Sequence, residues 1–149
     1  VLGGYVAGSA SLRTVLEHKA RPFLFSTSHP PAVAAACLAA IEVLETEPEL
    51  IDRLWDNARF FKEGLTALGF DTGASETPIT PVIVGRGALA MELSDRLFEA
   101  GVFAMGIGFP TVPEEKSRVR TIVTAEHSRE ELEACLAAFE TVGGELAII

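Results

Sequence analysis

Apolar residues in the first half of the chain recur at helical spacing. The pattern predicts a first helix over about residues 29–44, with one apolar face formed by Cys37, Leu38, Ile41 and Leu44. Pro30 and Pro31 are compatible with its first turn, where backbone N–H groups have no intrahelical partner. The segment Thr46-Glu47-Pro48-Glu49 then matches a capping box and predicts a second helix that ends at Gly69.

The second half of the chain mixes short β-branched runs with helical spacing. After a turn-rich stretch from Asp71 to Thr77, the pattern predicts in order a strand at Ile79–Val84, a helix through Leu89 and Phe98 to Gly101, a strand at Val102–Ile107, a loop at 108–113, a strand at Arg118–Thr124, and a helix capped by Ser128 and closed by Gly143-Gly144. The fold class predicted is therefore α+β, a helical segment followed by a small lobe of sheet and helices.

Composition narrows the functions that this chain can have. Its 149 residues contain 12 Lys+Arg against 21 Asp+Glu, a net charge of −9, and 48% are hydrophobic. An acidic chain without a basic cluster argues against nucleic acid and anionic membrane surfaces as partners. The two cysteines, Cys37 and Cys135, lie in apolar helical stretches, so we expect core packing, no disulfide framework, no metal site and a cytoplasmic setting.

The glycine motif Gly85-Arg86-Gly87-Ala88-Leu89-Ala90 lies between a predicted strand and a predicted helix, as in a dinucleotide-binding fingerprint. The next predicted strand, however, ends in Met105-Gly106-Ile107 and lacks the acidic residue that holds the ribose hydroxyls. A plain strand-to-helix turn is the favoured interpretation, and a nucleotide-binding domain remains a lesser alternative. The histidines show no metal-binding spacing.

Two other segments carry candidate binding chemistry. Ser26-Thr27-Ser28 places three hydroxyls before a predicted helix N-terminus, where an anion such as phosphate is favoured; ordinary N-capping by Ser28 is the alternative. In Arg118-Val119-Arg120, strand alternation sets both guanidinium groups on one face, where they could bind a carboxylate. Exposed strand arginines are common, so a structural role is the alternative there.

Four segments, in this order, resemble the α-oxoamine synthases, pyridoxal-phosphate enzymes of the class II aminotransferase group. They are Gly3-Gly4-Tyr5-Val6-Ala7-Gly8, the run from Arg21 to Pro31, Gly108-Phe109-Pro110-Thr111-Val112-Pro113, and Arg118-Val119-Arg120-Thr121. The resemblance extends over the whole chain. Within the family it is greatest to glycine C-acetyltransferases, with 8-amino-7-oxononanoate synthases next.

The resemblance implies a role for individual residues. Ser26 and Thr27 match the pair that reaches the cofactor phosphate of the neighbouring subunit in a homodimer with a shared active site. Arg120 matches the arginine that binds the amino-acid carboxylate, and Thr111 lies in the loop beside the acyl-CoA. The implied cofactor of the complete enzyme is pyridoxal 5'-phosphate. The implied reaction condenses glycine, or another small amino acid, with an acyl-CoA; alanine with pimeloyl-CoA is the alternative.

The family's Schiff-base lysine precedes the Gly-Gly-Tyr segment, and neither Lys19 nor Lys62 lies at that position. We therefore expect the C-terminal part of a fold-type-I enzyme, without a catalytic residue of its own and inactive alone. Residues 1–45 would end the cofactor-binding large domain, and residues 46–149 would form the C-terminal small domain with its leading helix. A non-catalytic α+β binding or dimerisation module is the rival of another class.

Overall fold

A computed structural model describes residues 4–149, so that Gly3 of the Gly-Gly-Tyr motif lies outside the described residues. The helices are α1 (Ala10–Lys19), α2 (Arg21–Leu24), α3 (Pro31–Thr46), α4 (Glu49–Ala67), α5 (Gly87–Glu99) and α6 (Arg129–Glu145). The strands are β1 (Ile79–Gly85), β2 (Met105–Ile107) and β3 (Ser117–Ile122), with a short 3-10 turn at Glu114–Lys116. The chain divides into two compact units, residues 1–48 and 49–149.

The first unit contains α1, α2 and α3. The Ser9 hydroxyl caps α1 by accepting a hydrogen bond from the Leu12 N–H at 3.2 Å. The sequence analysis did not predict α1, although a serine before a helical stretch is a typical start signal. Within the described part of this unit, none of the three helices contains a buried residue. The apolar side chains of α3 are accordingly exposed, including Leu38 and Leu44.

The bounds of α3 correct two predictions of capping. The helix begins at Pro31 with Pro30 as its N-cap, so Ser28 is not the capping residue. It continues to Thr46, whose hydroxyl donates to the Glu42 carbonyl at 2.8 Å. Thr46 is therefore the last residue of α3, and the predicted capping box for α4 is not formed. The predicted helix itself is confirmed: α4 ends at Ala67, and Gly69 follows with φ +102°.

The second unit is built on an antiparallel sheet in the order β1-β3-β2. Helices α4, α5 and α6 supply the core against one face of this sheet, and the largest buried side chains include Phe61, Leu93, Val119 and Phe139. Phe61 and Phe70 both pack edge-to-face on Phe139. The α+β prediction, with a small antiparallel sheet and helices packed on it, is confirmed.

Central strand β3 alternates as the sequence predicted. Ser117, Val119 and Thr121 are buried on the helix-covered face, whereas Arg118 and Arg120 lie on the other face. The carbonyl of Thr80 in β1 accepts a hydrogen bond of 2.7 Å from the Thr121 hydroxyl. Both candidate arginines therefore project from the same uncovered face of the sheet.

Two predicted elements differ from the structure in their bounds, whereas the glycine motif follows its favoured interpretation as a plain strand-to-helix turn. Strand β2 is limited to Met105–Ile107, because the chain from Gly101 (φ +86°) approaches β3 only there. Helix α6 continues through Gly143 and Gly144 to Glu145 instead of closing at the glycines. Strands β1 and β2 are separated by β3, so the Gly85 motif does not join two adjacent parallel strands as a dinucleotide-binding unit requires.

Candidate functional site

Arg120 occupies the centre of the uncovered sheet face. It lies opposite Pro81 of β1 and Met105 of β2. The residue is half-buried, and its Nε is fully buried without a hydrogen-bond partner among residues 4–149. An unpaired buried donor is costly, and a guanidinium presents its N–H groups in a planar fork that matches a carboxylate. Arg120 is therefore a candidate for binding an anion.

Arg118 is differently placed, although it shares the strand face. Its Nε donates to the Lys116 carbonyl at 2.8 Å, so part of its guanidinium is occupied by the chain's own backbone. The two arginines, equivalent by alternation in the sequence, are thereby distinguished by their hydrogen bonds. Arg120 is the better candidate for a ligand.

A groove of about 660 Å³ opens beside Arg120. Its walls are mainly apolar and come from α4, from the segment 100–105, from the end of β3 and from the first half of α6; they include Phe61, Val102, Phe103, Leu132 and Cys135. The groove exists because β2 begins only at Met105. The preceding residues, 100–104, do not pair with β3 and leave a space beside it. Burial beside the core raises the pKa of the Cys135 thiol from 9.0 to about 11, because desolvation disfavours the thiolate.

Thr111 lies in the loop between β2 and β3. The Gly108 carbonyl accepts hydrogen bonds from the N–H groups of Thr111 at 3.0 Å and Val112 at 3.3 Å, which forms a compact turn. Thr111 is exposed at the surface of this turn. The loop connects β2, which pairs beside Arg120, to β3, which contains Arg120. The structure therefore places both predicted substrate residues on one hairpin.

Ser26 and Thr27 lie together before α3, in the unit of residues 1–48. Both residues are exposed, and the Ser26 hydroxyl accepts a hydrogen bond of 3.1 Å from the Ser28 N–H. Ser28 has φ +72°, a left-handed conformation that non-glycine residues adopt infrequently and that is often found at functional sites. Among residues 4–149, neither hydroxyl donates to a protein acceptor, so both are candidates for binding a phosphate group.

Sequence reasoning missed a set of polar contacts that follow β3. Asn57 and Arg53 of α4 donate to backbone carbonyls of residues 124, 125 and 127. Within the same segment, His127 accepts a hydrogen bond from the Thr124 N–H through Nδ1 at 3.0 Å. No local signal could have shown the contacts of α4, because their partners are about 70 residues apart in sequence.

Within the described residues, no group of three or more His, Cys, Asp or Glu side chains is arranged to hold a metal ion. The helices of residues 4–149 include none whose length and apolar character would allow it to cross a membrane.

Comparison with known proteins assigns the family. The model of the family described as aminotransferase class I and II matches residues 1–139. The chain belongs to this family. The assignment agrees with the resemblance carried by the four sequence segments.

Individual relatives are named more specifically. The chain is 70% identical over 149 residues to an 8-amino-7-oxononanoate synthase of Symbiobacterium thermophilum. It is 58% identical over 148 residues to a Thermus thermophilus protein named 8-amino-7-oxononanoate synthase/2-amino-3-ketobutyrate coenzyme A ligase. The matches cover 100% and 99% of this chain but 38% of each relative's length. The sequence resemblance placed glycine C-acetyltransferases first and 8-amino-7-oxononanoate synthases second, whereas the names of these relatives favour the 8-amino-7-oxononanoate synthases.

Solved structures share the fold. A serine palmitoyltransferase from S. paucimobilis with bound PLP aligns with a TM-score of 0.84 and 29% identity, over 91% of this chain and 35% of that one. An 8-amino-7-oxononanoate synthase from Francisella tularensis aligns with a TM-score of 0.74 at 22% identity, which is a likeness of fold alone. The likeness to a PLP-binding transferase supports the predicted fold class.

Proposed function

We propose that this chain forms the part of a pyridoxal-phosphate-dependent acyltransferase that binds the amino-acid carboxylate. The proposed reaction forms a bond between the α-carbon of an amino acid and the acyl carbon of a thioester and releases the thiol, in the manner of an 8-amino-7-oxononanoate synthase, for which alanine and a pimeloyl thioester would also release the alanine carboxylate as carbon dioxide. Arg120 is the observation that carries the proposal, because its buried Nε lacks a partner on an uncovered sheet face. The names of the relatives supply the reaction class.

Arg120 would bind and orient the amino acid. A carboxylate can accept two parallel hydrogen bonds from the terminal nitrogens of the half-buried guanidinium, which have no carboxylate partner among residues 4–149. Because β3 pairs with a strand on both sides at this residue, the backbone that carries the guanidinium is held firmly. A fixed carboxylate limits rotation of the substrate and so holds its reacting carbon in one direction.

Ser26 and Thr27 would hold the cofactor phosphate of the neighbouring subunit in a homodimer. Their exposed hydroxyls can donate to phosphate oxygens, and the left-handed Ser28 fixes the turn that presents them. When bound, pyridoxal phosphate supplies the electron sink that stabilises a carbanion at the substrate carbon. Thr111, exposed on the β2–β3 loop, would lie on the acyl-thioester side of the site.

Glycine with acetyl-CoA is a second candidate substrate pair. It is supported by the sequence resemblance and by the second half of the name of the Thermus thermophilus relative. Both candidates use the same carboxylate-binding role of Arg120; they differ in their substrates and in the fate of the amino-acid carboxylate, which leaves as carbon dioxide with alanine and a pimeloyl thioester and is kept with glycine and acetyl-CoA.

A chimeric enzyme tests the proposal directly. Residues 1–149 replace the matching segment of the Symbiobacterium thermophilum relative, and release of free CoA is measured with pyridoxal phosphate present. We expect turnover of alanine with pimeloyl-CoA that exceeds turnover of glycine with acetyl-CoA. The reverse preference would support the second candidate. If a folded chimera turned over neither pair, the acyltransferase proposal would be wrong and a binding module would be favoured.

The same chimera tests the carboxylate role. Arg120→Gln should raise the KM for the amino acid about ten- to a hundredfold, because a charge-assisted hydrogen-bond pair is lost. Arg118→Gln is the matched control, on the same strand face but bonded to the Lys116 carbonyl, and should change KM less than about twofold. Equal effects of the two substitutions would contradict a specific role for Arg120.

A further inference from the structure

The support of β3 changes at Arg120. Up to this residue β3 is paired on both sides. Met105, the first residue of β2, lies directly opposite Arg120, so the pairing of β2 with β3 stops there. Beyond it, only β1 pairs with β3, as far as Ile122 opposite Ile79. The 660 Å³ groove lies along the edge of β3 that β2 does not pair with. The chain just after the candidate carboxylate-binding residue is therefore held on one side only.

Helix α4 supplies the missing restraint. The amide nitrogen Nδ2 of the half-buried Asn57 donates to the Thr124 carbonyl at 3.1 Å and to the His127 carbonyl at 2.9 Å. Nη2 of Arg53 donates to the carbonyl of Ala125 at 2.7 Å. Three of four successive carbonyls in the segment after β3 are thus bound by one helix.

His127 closes the same segment on itself. Its Nδ1 accepts from the Thr124 N–H at 3.0 Å, so the ring proton of the neutral form is on Nε2. Ser128 then starts α6 with a capping box, in which its hydroxyl accepts from the Glu131 N–H and the Glu131 carboxylate accepts from the Ser128 N–H. The segment from β3 to α6 therefore has one defined conformation, with α4 as its anchor.

From these contacts we infer that Asn57 is a positioning residue for the reaction: it fixes Thr124 and His127, which line the groove beside Arg120, and thereby the groove wall next to the carboxylate that Arg120 binds. This inference rests on the proposed function, since it assumes that Arg120 binds the substrate carboxylate. Asn57 suits the role because one amide nitrogen carries two protons, one for each carbonyl. An aspartate of the same shape has no proton to donate and would repel both carbonyls.

Hydrogen exchange on the chain alone tests the restraint without catalysis. Asn57→Asp should speed exchange of the Thr124 amide, which His127 holds, roughly tenfold, while the α6 amides after Leu132 change little. Arg59→Ala is the control on the same helix, since Arg59 pairs with Asp56 and not with the segment after β3. Unchanged exchange at Thr124 would overturn the inference. Arg53→Met removes the hydrogen bond to the Ala125 carbonyl and the 3.9 Å ion pair with Glu126, and provides the test of the restraint if Asn57→Asp does not fold.

A double-mutant cycle in the chimera tests positioning. Asn57→Asp should raise the KM for the amino acid roughly three- to tenfold with little change in kcat, and this effect should vanish in the Arg120→Gln background. An equal effect of Asn57→Asp in both backgrounds would overturn the inference and leave the proposed function intact. If Arg120→Gln itself left KM unchanged, the role of Arg120 would be wrong and the inference would fall with it.

Discussion

At the scale of single residues, burial separates two cysteines that the sequence made equivalent. Cys135 packs against the core and lines the groove, whereas Cys37 is exposed on α3. The expectation that both serve as core hydrophobes is thus confirmed for Cys135 and wrong for Cys37. Sequence periodicity gives the apolar face of a helix but not whether another element covers it.

The raised pKa of Cys135 predicts slow alkylation. At pH 8 its iodoacetamide reaction in a Cys37→Ser chain should be roughly a hundredfold slower than in urea, since the pKa rises from 9.0 to about 11. The exposed Cys37, measured in a Cys135→Ser chain, should lack this protection. Burial also makes the free energy of unfolding depend on pH, because the folded state disfavours the thiolate. The stabilisation by the neutral Cys135 thiol is complete below about pH 9 and is lost between about pH 9 and 11. Equal rates in native and unfolded chains would contradict the burial.

Two neighbouring glycines in α6 offer a matched test of packing. A Cβ on Gly143 would clash with Cζ of the buried Phe70, whereas a Cβ on Gly144 would meet nothing within 4 Å. Gly143→Ala should therefore lower the free energy of unfolding by about 1–3 kcal/mol through overpacking. Gly144→Ala should be neutral or stabilise by up to about 1 kcal/mol, since alanine favours a helix. Urea denaturation of both variants measures the difference, and equal effects would refute the close approach.

At the scale of elements, the same capping signal has two outcomes. Ser128 and Glu131 form the predicted capping box of α6, but Thr46 and Glu49 do not, because α3 extends through Thr46. Both segments satisfy the sequence rule. The continuation of the preceding helix decides between them, and a four-residue pattern cannot show it.

Alanine substitutions at the two predicted caps should differ accordingly. Ser128→Ala should cost about 0.5–2 kcal/mol in the free energy of unfolding, because the Glu131 N–H loses its acceptor. Thr46→Ala should change it by less than about 0.5 kcal/mol, since Thr46 lies in the last turn of a helix where alanine is tolerated. Thermal unfolding followed by circular dichroism provides the measurement. A loss at Thr46 as large as that at Ser128 would contradict the helix bounds.

At the scale of the whole molecule, the buried core belongs to one unit. The buried hydrophobic residues found in the described chain, from Ala58 to Val142, all lie within residues 49–149. The helices of residues 4–48 contain no buried residue. Since burial of apolar area is the main source of stability, the second unit carries the stability of this chain.

A shortened polypeptide tests this distribution of stability. Residues 49–149 alone should unfold cooperatively in urea, with a free energy of unfolding within about 1 kcal/mol of that of the 149-residue chain, because no buried residue is removed. The ratio of hydrogen-exchange protection in α4 to that in α6 should stay the same. A loss of several kcal/mol would show that residues 1–48 contribute to the core of the second unit.

The sequence by itself determined the class of the chain and the elements from α3 onwards, but not α1 or α2. Helical spacing, strand alternation at Arg118-Val119-Arg120 and the Ser128 capping box are short-range patterns, so each can be seen within a few residues. Four ordered segments were enough for the family. Three features were decided by the tertiary structure alone. They are the short length of β2, the difference in hydrogen bonding between the Nε atoms of Arg118 and Arg120, and the binding of the segment after β3 by Asn57. These features depend on contacts between residues far apart in sequence, and local periodicity carries no record of such contacts.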